Sequence, residues 1–353
     1  MTTSLRLLYL GPYNSPHLED LALAMKERGH TVRVAGAPWG GALLDTTLPQ
    51  HGIPADTLHS PSTLALRRLL RTFRPHVVHS HWMPFATLAA LAWARPLVAS
   101  AWGSDVYGAG VRRRLSIRFA LRFAAVAMSD SADLSERLRE LGPRSLRTMV
   151  VNWGVDLSAL RPPTSAERTV LKQRFGLGPA PLVLSPRGLK DVYNPELVLA
   201  AFRRVRSVVP EAQLVVKHIE AGGLSLPRAE PGVHIVGRLD PEELADLFRA
   251  ADITVSVPRS DSSPRSVWEA MASGSAVVLS DLPWVHELIE DGRDAMVVLQ
   301  EPEALAAALE RLLADEEHRS SLAAAGRKLV EHNRDRDVEL GRLEACYREL
   351  AAP

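Results

Sequence analysis

Apolar runs of four to six residues recur along the chain, each followed by a polar turn and then by a longer stretch with helical spacing. In the first half they fall at residues 5–10, 31–35, 76–80, 96–101, 124–129 and 148–151, with segments such as HLEDLALAMKERGH between them. Runs that are apolar throughout, rather than alternating, suit strands covered on both faces, so the pattern predicts a parallel sheet flanked by helices. From Pro181 the pattern begins again with PLVLS, QLVVK, VHIV, DITVS, SAVVL and AMVVL. Two α/β domains of Rossmann-like, parallel-sheet type are therefore expected, over residues 1–160 and 181–331. The Pro-rich, polar RPPTSAERT places a linker at 161–180, and residues 332–353 read as a charged helix.

Open parallel sheets bind ligands beyond the carboxyl ends of their strands, and two of them facing each other would enclose a cleft. Candidate chemistry should thus follow strands. Directly after Asp261 comes SSPRSVWEAMASG, in which Glu269 is separated from Asp261 by seven residues. The Ser-rich turn, with Ser262, Ser263 and Arg265, would leave N–H groups free at a helix N-terminus, a setting that suits phosphate. Glu269, about one turn into the helix, could accept hydrogen bonds from two ribose hydroxyls while Asp261 looks in from the loop. Taken alone, the two acids are as readily a turn residue and an ordinary first-turn glutamate. Arg187 follows PLVLS, where its fork could meet a diphosphate. Only five of the 42 Lys and Arg residues are lysines, and two of these, Lys190 and Lys217, follow strands of the second domain.

In the first domain, GPYNSPHLEDLA supplies a turn with Gly11 and then His17 near a helix start, either an acceptor-side loop or plain turn chemistry. The absence of GxGxxG weighs against a nicotinamide dehydrogenase. His79 and His81 would share one face of an extended segment, but no third ligand has supporting spacing, so no metal site is expected. In AWGSDVYG, Gly103 permits an unusual turn and Asp105 could cap a helix or face the cleft. Asp335 and Asp337 form a DxD, read as the solvated face of a helix on which residues two apart diverge. AGVRRRLSIRFALRFAA carries Arg112, Arg113, Arg114, Arg118 and Arg122 around more than one side. An ordinary domain-surface helix is the preferred reading of it, with contact to anionic lipid the alternative.

With 353 residues and 46% hydrophobic content the chain can bury two cores, which excludes disordered and fibrous classes. A net charge of +1 provides no global pull toward nucleic acid or membrane, so any such pull must come from a local patch. Cys346 is the only cysteine, so no internal disulfide forms and a reducing, cytoplasmic setting is expected. MTTSLRLLYLGPY reads as neither a signal peptide nor a spanning helix.

The block from Val255 to Val298 resembles the donor-binding region of family 4 (group 1) glycosyltransferases, which have the GT-B fold. The usual family form has two glutamates at this spacing with glycines after the first, where this chain has Asp261 and a Ser-Ser-Pro-Arg run. WGSD is also similar to the family, although many members have a histidine where Trp102 stands. Arg187 matches a common family arginine; the lysine that usually follows is replaced near Val192, Tyr193 and Asn194, leaving Lys190 as a substitute. The resemblance implies transfer of a sugar from a nucleotide diphosphate sugar to an unidentified acceptor hydroxyl, with retention, without metal and without a cofactor. It implies catalytic roles for Asp261, Arg187, Lys190 and His81, and donor binding by Glu269, Ser262, Ser263, Arg265 and Gly11. His17, Asp105 and Trp102 would face the acceptor, and the last helix would cross back to the first domain. A nucleotide-sugar epimerase of related fold and a non-catalytic sugar-nucleotide-binding protein are the alternatives. No nucleic acid partner is implied, and peripheral contact with the inner face of a membrane stays open.

Overall fold

The computed structural model describes residues 3–38, 46–58, 62–218 and 230–352. The chain divides into two units, Met1–Trp153 with Glu339–Pro353, and Gly154–Val338. In the first, β1 (Arg6–Pro12), β2 (Thr31–Ala37), β3 (Ala55–Thr57), β4 (Val77–His81), β5 (Leu97–Ser100), β6 (Val126–Ser129) and β7 (Thr148–Val150) form a parallel sheet. Its order is β3-β2-β1-β4-β5-β6-β7. The helices are α1 (Pro16–Glu27), α2 (Thr63–Phe73), α3 (Met83–Leu91), α4 (Val111–Leu121) and α5 (Ala132–Leu141). Successive side chains of a strand point to opposite faces, and both faces are covered here. Leu7 and Tyr9 pack with Leu18 and Met25 of α1, whereas Leu8 and Leu10 pack with Leu66 of α2 and Leu88 of α3. That double burial is why the strands read as unbroken apolar runs. β3 lies outside the expected set because its three residues, Ala-Asp-Thr, are an edge too short and polar to carry a hydrophobic signal.

The second unit holds α6 (Ser165–Arg174), β8 (Leu182–Ser185), α7 (Pro195–Val208), β9 (Gln213–Lys217), β10 (Val233–Val236) and α8 (Pro241–Ala250). It continues through β11 (Ile253–Ser256), α9 (Arg265–Ala272), β12 (Ala276–Ser280), β13 (Met296–Val298), α10 (Pro302–Ala314) and α11 (Glu316–Asn333). The strand order is β10-β9-β8-β11-β12-β13, again parallel. The expected linker at 161–180 is instead part of this unit. Thr164 and Glu167 form a reciprocal capping box that starts α6, while Leu171 and Leu177 enter the core with Leu182 and Phe248. The polar residues that resembled a linker are helix-start chemistry, and the division falls after Trp153 rather than near 160.

The charged helix expected from 332 is also interrupted. The chain leaves α11 at Asn333, Asp335 bridges to Val155, and α12 (Arg336–Ala351) begins, with Asp335 Oδ1 accepting from Val338 N at 3.1 Å. Asp335 is therefore a helix cap, not one face of a continuous helix. α12 packs into the first unit: Leu340, Leu343, Cys346 and Tyr347 join the cluster around Leu7 and Tyr9. Glu339 Oε2 accepts from Asn152 N at 3.0 Å.

Candidate functional site

In the second unit β8 and β11 are neighbours, and the chain leaves them in opposite directions, toward β9 and toward β12. That reversal opens a crevice at their carboxyl ends. Arg187 stands just past β8, and the loop 257–264 follows β11. One guanidinium nitrogen of Arg187 donates to Asp261 Oδ2 at 2.5 Å, a second faces Ser266 Oγ at 3.4 Å, and the group lies 4.6 Å from the centre of the Tyr193 ring. Three contacts thus hold one fork in place. Asp261, expected at the donor sugar, is here the partner of the cation expected at the diphosphate.

The serines are turned inward. Ser262 N donates to Asp261 Oδ1 at 2.9 Å, and Ser263, at φ 48°, accepts from Trp268 Nε1 at 3.0 Å. Both serines, expected at the donor, are buried within the loop. The amides that open α9 remain a phosphate-suited feature: its N-cap is Pro264, and no side chain caps it. Glu269 lies in the second turn of α9, and Arg265 pairs with its Oε1 at 2.9 Å. The expected ribose contact is therefore already engaged by a residue expected beside it.

Lys190, the expected second cation, lies on the surface. It is exposed and begins a single 3-10 turn, Asp191–Tyr193. Lys217, half-buried at the end of β9, comes closer, because β9 pairs with β8 through Ser185 and Val216. Burial pulls its ammonium below the ordinary lysine value; Glu269 opposes that, and Arg187 and Arg238 add to it. Gly188, at φ 81°, closes the same turn: a side chain there would meet the Lys217 carbonyl at 3.3 Å. The available signal for Lys217 was its place at the carboxyl end of a strand next to β8.

In the first unit the corresponding reversal lies between β1 and β4. A Cβ on Gly11 would lie 3.1 Å from both His81 Cβ and Leu18 Cδ2, so close packing accounts for this glycine. His81, expected as a catalytic contact, is fully buried, with its ring 4.1 Å from that of His79 and beside Tyr9, Trp102 and Trp153. His79 bonds Tyr347 through Nδ1 at 2.5 Å and Ser100 through Nε2 at 2.6 Å. Burial pushes His79 down to about 3 and, with His79 and His17 adjacent, holds His81 well below the usual histidine value. Both are buried, and burial favours the neutral form of each. Half-buried His17, Trp102 and Trp153 form an aromatic surface beside them, with His17 and Trp153 stacked at 5.9 Å. Trp153 was not among the expected residues.

Asp105, expected either to cap a helix or to face the acceptor, is bonded to the backbone at a helix start. Fully buried, it accepts from Met83 N at 2.7 Å and Trp102 N at 2.9 Å, so it ties the start of α3 to the loop after β5. Burial pushes its carboxyl up to about 6, against the downward pull of those amides. Asp105→Ala leaves both amides without an acceptor and is expected to cost about 2 kcal/mol in denaturant unfolding. A loss within error would remove its bracing role.

The family model described as glycosyl transferases group 1 matches residues 168–329, and that of glycosyltransferase family 4 matches residues 15–159. Among curated proteins, D-inositol 3-phosphate glycosyltransferase 2 of Catenulispora acidiphila is 31% identical over 217 residues, covering 57% of this chain and 49% of that protein. D-inositol 3-phosphate glycosyltransferase of Geodermatophilus obscurus is 28% identical over 307 residues, covering 78% of this chain and 68% of that protein. The first of these matches thus spans about half the length of its relative. Among solved structures, Anabaena Alr3699/HepE in complex with UDP-glucose superposes with a TM-score of 0.83 at 17% identity, covering 98% of this chain and 100% of that one. Such a likeness establishes a shared GT-B fold.

Proposed function

We propose, because the chain belongs to the group 1 and family 4 glycosyltransferases, that it moves a sugar from a nucleotide diphosphate sugar to an acceptor hydroxyl. The proposal includes retention at the anomeric carbon, no metal ion and a cytoplasmic setting. The observation that carries it is the Arg187 fork at the reversal point of the second unit, with Lys217 and the uncapped start of α9 nearby. As the bond from the anomeric carbon to the diphosphate breaks, negative charge gathers on the leaving oxygens, and fixed cations and amides stabilise it. The acceptor oxygen bonds to the anomeric carbon and its proton passes to a leaving phosphate oxygen. On this proposal the donor displaces Asp261 from Arg187, and Glu269 shares its carboxylate between Arg265 and ribose. The aromatic cluster of His17, Trp102 and Trp153, with Trp102 edge-on to the other two rings, offers apolar surface that suits the C–H groups of an acceptor. UDP-glucose in the Anabaena protein and the inositol phosphate named for the relatives make a UDP-sugar and a polyol the first pair to try.

Incubation of the purified protein with labelled nucleotide sugars and polyol acceptors tests this. Transfer supports it, donor isomerisation replaces it with an epimerase, and saturable binding without turnover replaces it with a binding protein. Lys217→Met is expected to lower kcat/KM by about ten- to a hundredfold, against less than about twofold for Lys190→Met. The reverse order in steady-state kinetics would return the second cation to Lys190.

A further inference from the structure

We propose that the face of the first unit built by α2, α3 and α4 docks on an anionic membrane surface. This rests on charge and exposure and does not depend on the reaction assigned above. Between Thr57 and Ser129 the chain has ten arginines, no lysine and one acid, formally +9 in a chain whose total is +1, so the remaining residues sum to −8. The one acid is Asp105, which is buried and bonded to backbone amides. The near-neutral total thus conceals a strongly divided charge.

The arginines face solvent. Arg68 and Arg71 of α2 are exposed, as is Arg74 just beyond it. Arg112, Arg113, Arg114 and Arg118 of α4, and Arg122 after it, are exposed while Ile117, Ala120 and Leu121 point inward. The three helices share one side of the sheet: Leu66, Leu88 and Phe119 lie in one cluster, Arg67 donates to Leu91 O at 2.9 Å, and Thr87 bonds Ser116 at 2.9 Å. Elsewhere in this unit arginines find acids, as in Arg28 with Glu344, Arg33 with Asp56 and Arg139 with Glu136. Among the described residues no arginine of α2 or α4 forms an ion pair. Such a cluster repels itself until an external anion relieves it.

Apolar side chains decide between lipid and nucleic acid. Of the nine large hydrophobics exposed among the described residues, four stand on these helices, Leu64, Leu91, Val111 and Leu115, and a fifth, Trp93, lies two residues past α3. Trp93 is 63% exposed just beyond α3, against Phe123 and under the Arg95 guanidinium. Arginine heads with apolar tips and an indole between them match phosphate headgroups above an acyl boundary. A phosphodiester backbone would gain nothing from Val111 or Leu115. No helix among the described residues is long and apolar enough to cross a membrane, so contact would be peripheral. α4 alone has no single apolar side; three helices together supply the surface.

The test is co-sedimentation of the full chain with vesicles of phosphatidylcholine alone, or of phosphatidylcholine mixed with phosphatidylglycerol, at low and high salt. Binding is expected only with phosphatidylglycerol, and is expected to be lost at high salt. The combined Arg112→Gln, Arg113→Gln, Arg114→Gln and Arg118→Gln variant should partition roughly 10²- to 10³-fold less. Arg203→Gln with Arg204→Gln, on the second unit, should change it less than about twofold, which separates a local face from total charge. Leu115→Ser with Val111→Ser should weaken vesicle binding and leave capture of a DNA duplex unchanged. All substituted positions are exposed, so melting temperatures should match, and the salt series on the unaltered chain tests the idea without any variant. Equal binding to both vesicle types, indifference to the four-arginine variant, or tighter binding to duplex DNA than to vesicles would overturn it.

Discussion

Arg187→Ala is expected to lower kcat/KM for the nucleotide sugar by about 10²- to 10³-fold, equivalent to about 2.7–4 kcal/mol of transition-state stabilisation. Arg187 is the best-positioned cation at the carboxyl ends of β8 and β11, and its fork is set by Asp261, Ser266 and the Tyr193 ring. A fork held in advance needs little reorganisation when charge develops on a diphosphate, which is why its loss should fall mainly on kcat. Truncation also strands Asp261, a largely buried carboxylate, so the Arg187→Ala, Asp261→Asn double variant is the control. If the double variant regained activity, repulsion by Asp261 and not loss of the cation would explain the single variant. Arg187→Lys keeps charge without the planar fork and should fall between. A change under about threefold in steady-state kinetics, with donor turnover otherwise established, would displace Arg187 from the site.

Asp252→Ala is expected to destabilise the second unit by about 3–5 kcal/mol. Asp252 Oδ2 accepts from Lys172 Nζ at 2.7 Å and from Leu182 N at 2.8 Å, while Oδ1 accepts from Arg168 at 2.8 Å. Lys172 is only 5% exposed, so removing the carboxylate leaves a buried ammonium and a strand amide uncompensated. Burial alone would raise this acid; Lys172, the Leu182 amide and Arg168 together outweigh burial and hold it below the ordinary value of 3.8. A depressed acid stabilises fully above its unfolded value, and that contribution is lost as pH falls through the folded one, so acid below about pH 4 should imitate the mutation. Urea unfolding and hydrogen exchange at the amides of β8 report on it directly. Because Lys172 lies on α6, fast exchange in α6 alone, with β8 unchanged, would mean that the pair fastens a helix without supporting the sheet.

Much of the fold was legible because its determinants are local. Among the described residues twelve of the thirteen strands follow from apolar runs, and the missing one, β3, has three residues of which only Ala55 is apolar. The start of α6 reads as a linker in the sequence because Thr164 and Glu167, a capping box, have the composition of one. At the site, Arg187, Asp261 and Glu269 could be picked from strand ends and a family resemblance, but not the fact that Arg187 holds Asp261 and Arg265 holds Glu269. For His81 and Asp105 the sequence places both after strands, where ligands bind, but not the aromatic rings that pack around the first or the backbone amides that bond the second, because those neighbours come from other elements.

By itself the sequence determined two parallel-sheet units and the strand ends where chemistry could sit, since runs, turns and caps act over a few residues. Only the tertiary structure decided which of those ends meet. Strand order brings Asp261 to Arg187 across 74 positions and Lys217 to the same crevice, while Lys190, three residues from Arg187, turns to solvent. The same holds for the basic face: each arginine can be read in the chain, but a shared surface exists only because right-handed crossovers put α2, α3 and α4 on one side of one sheet.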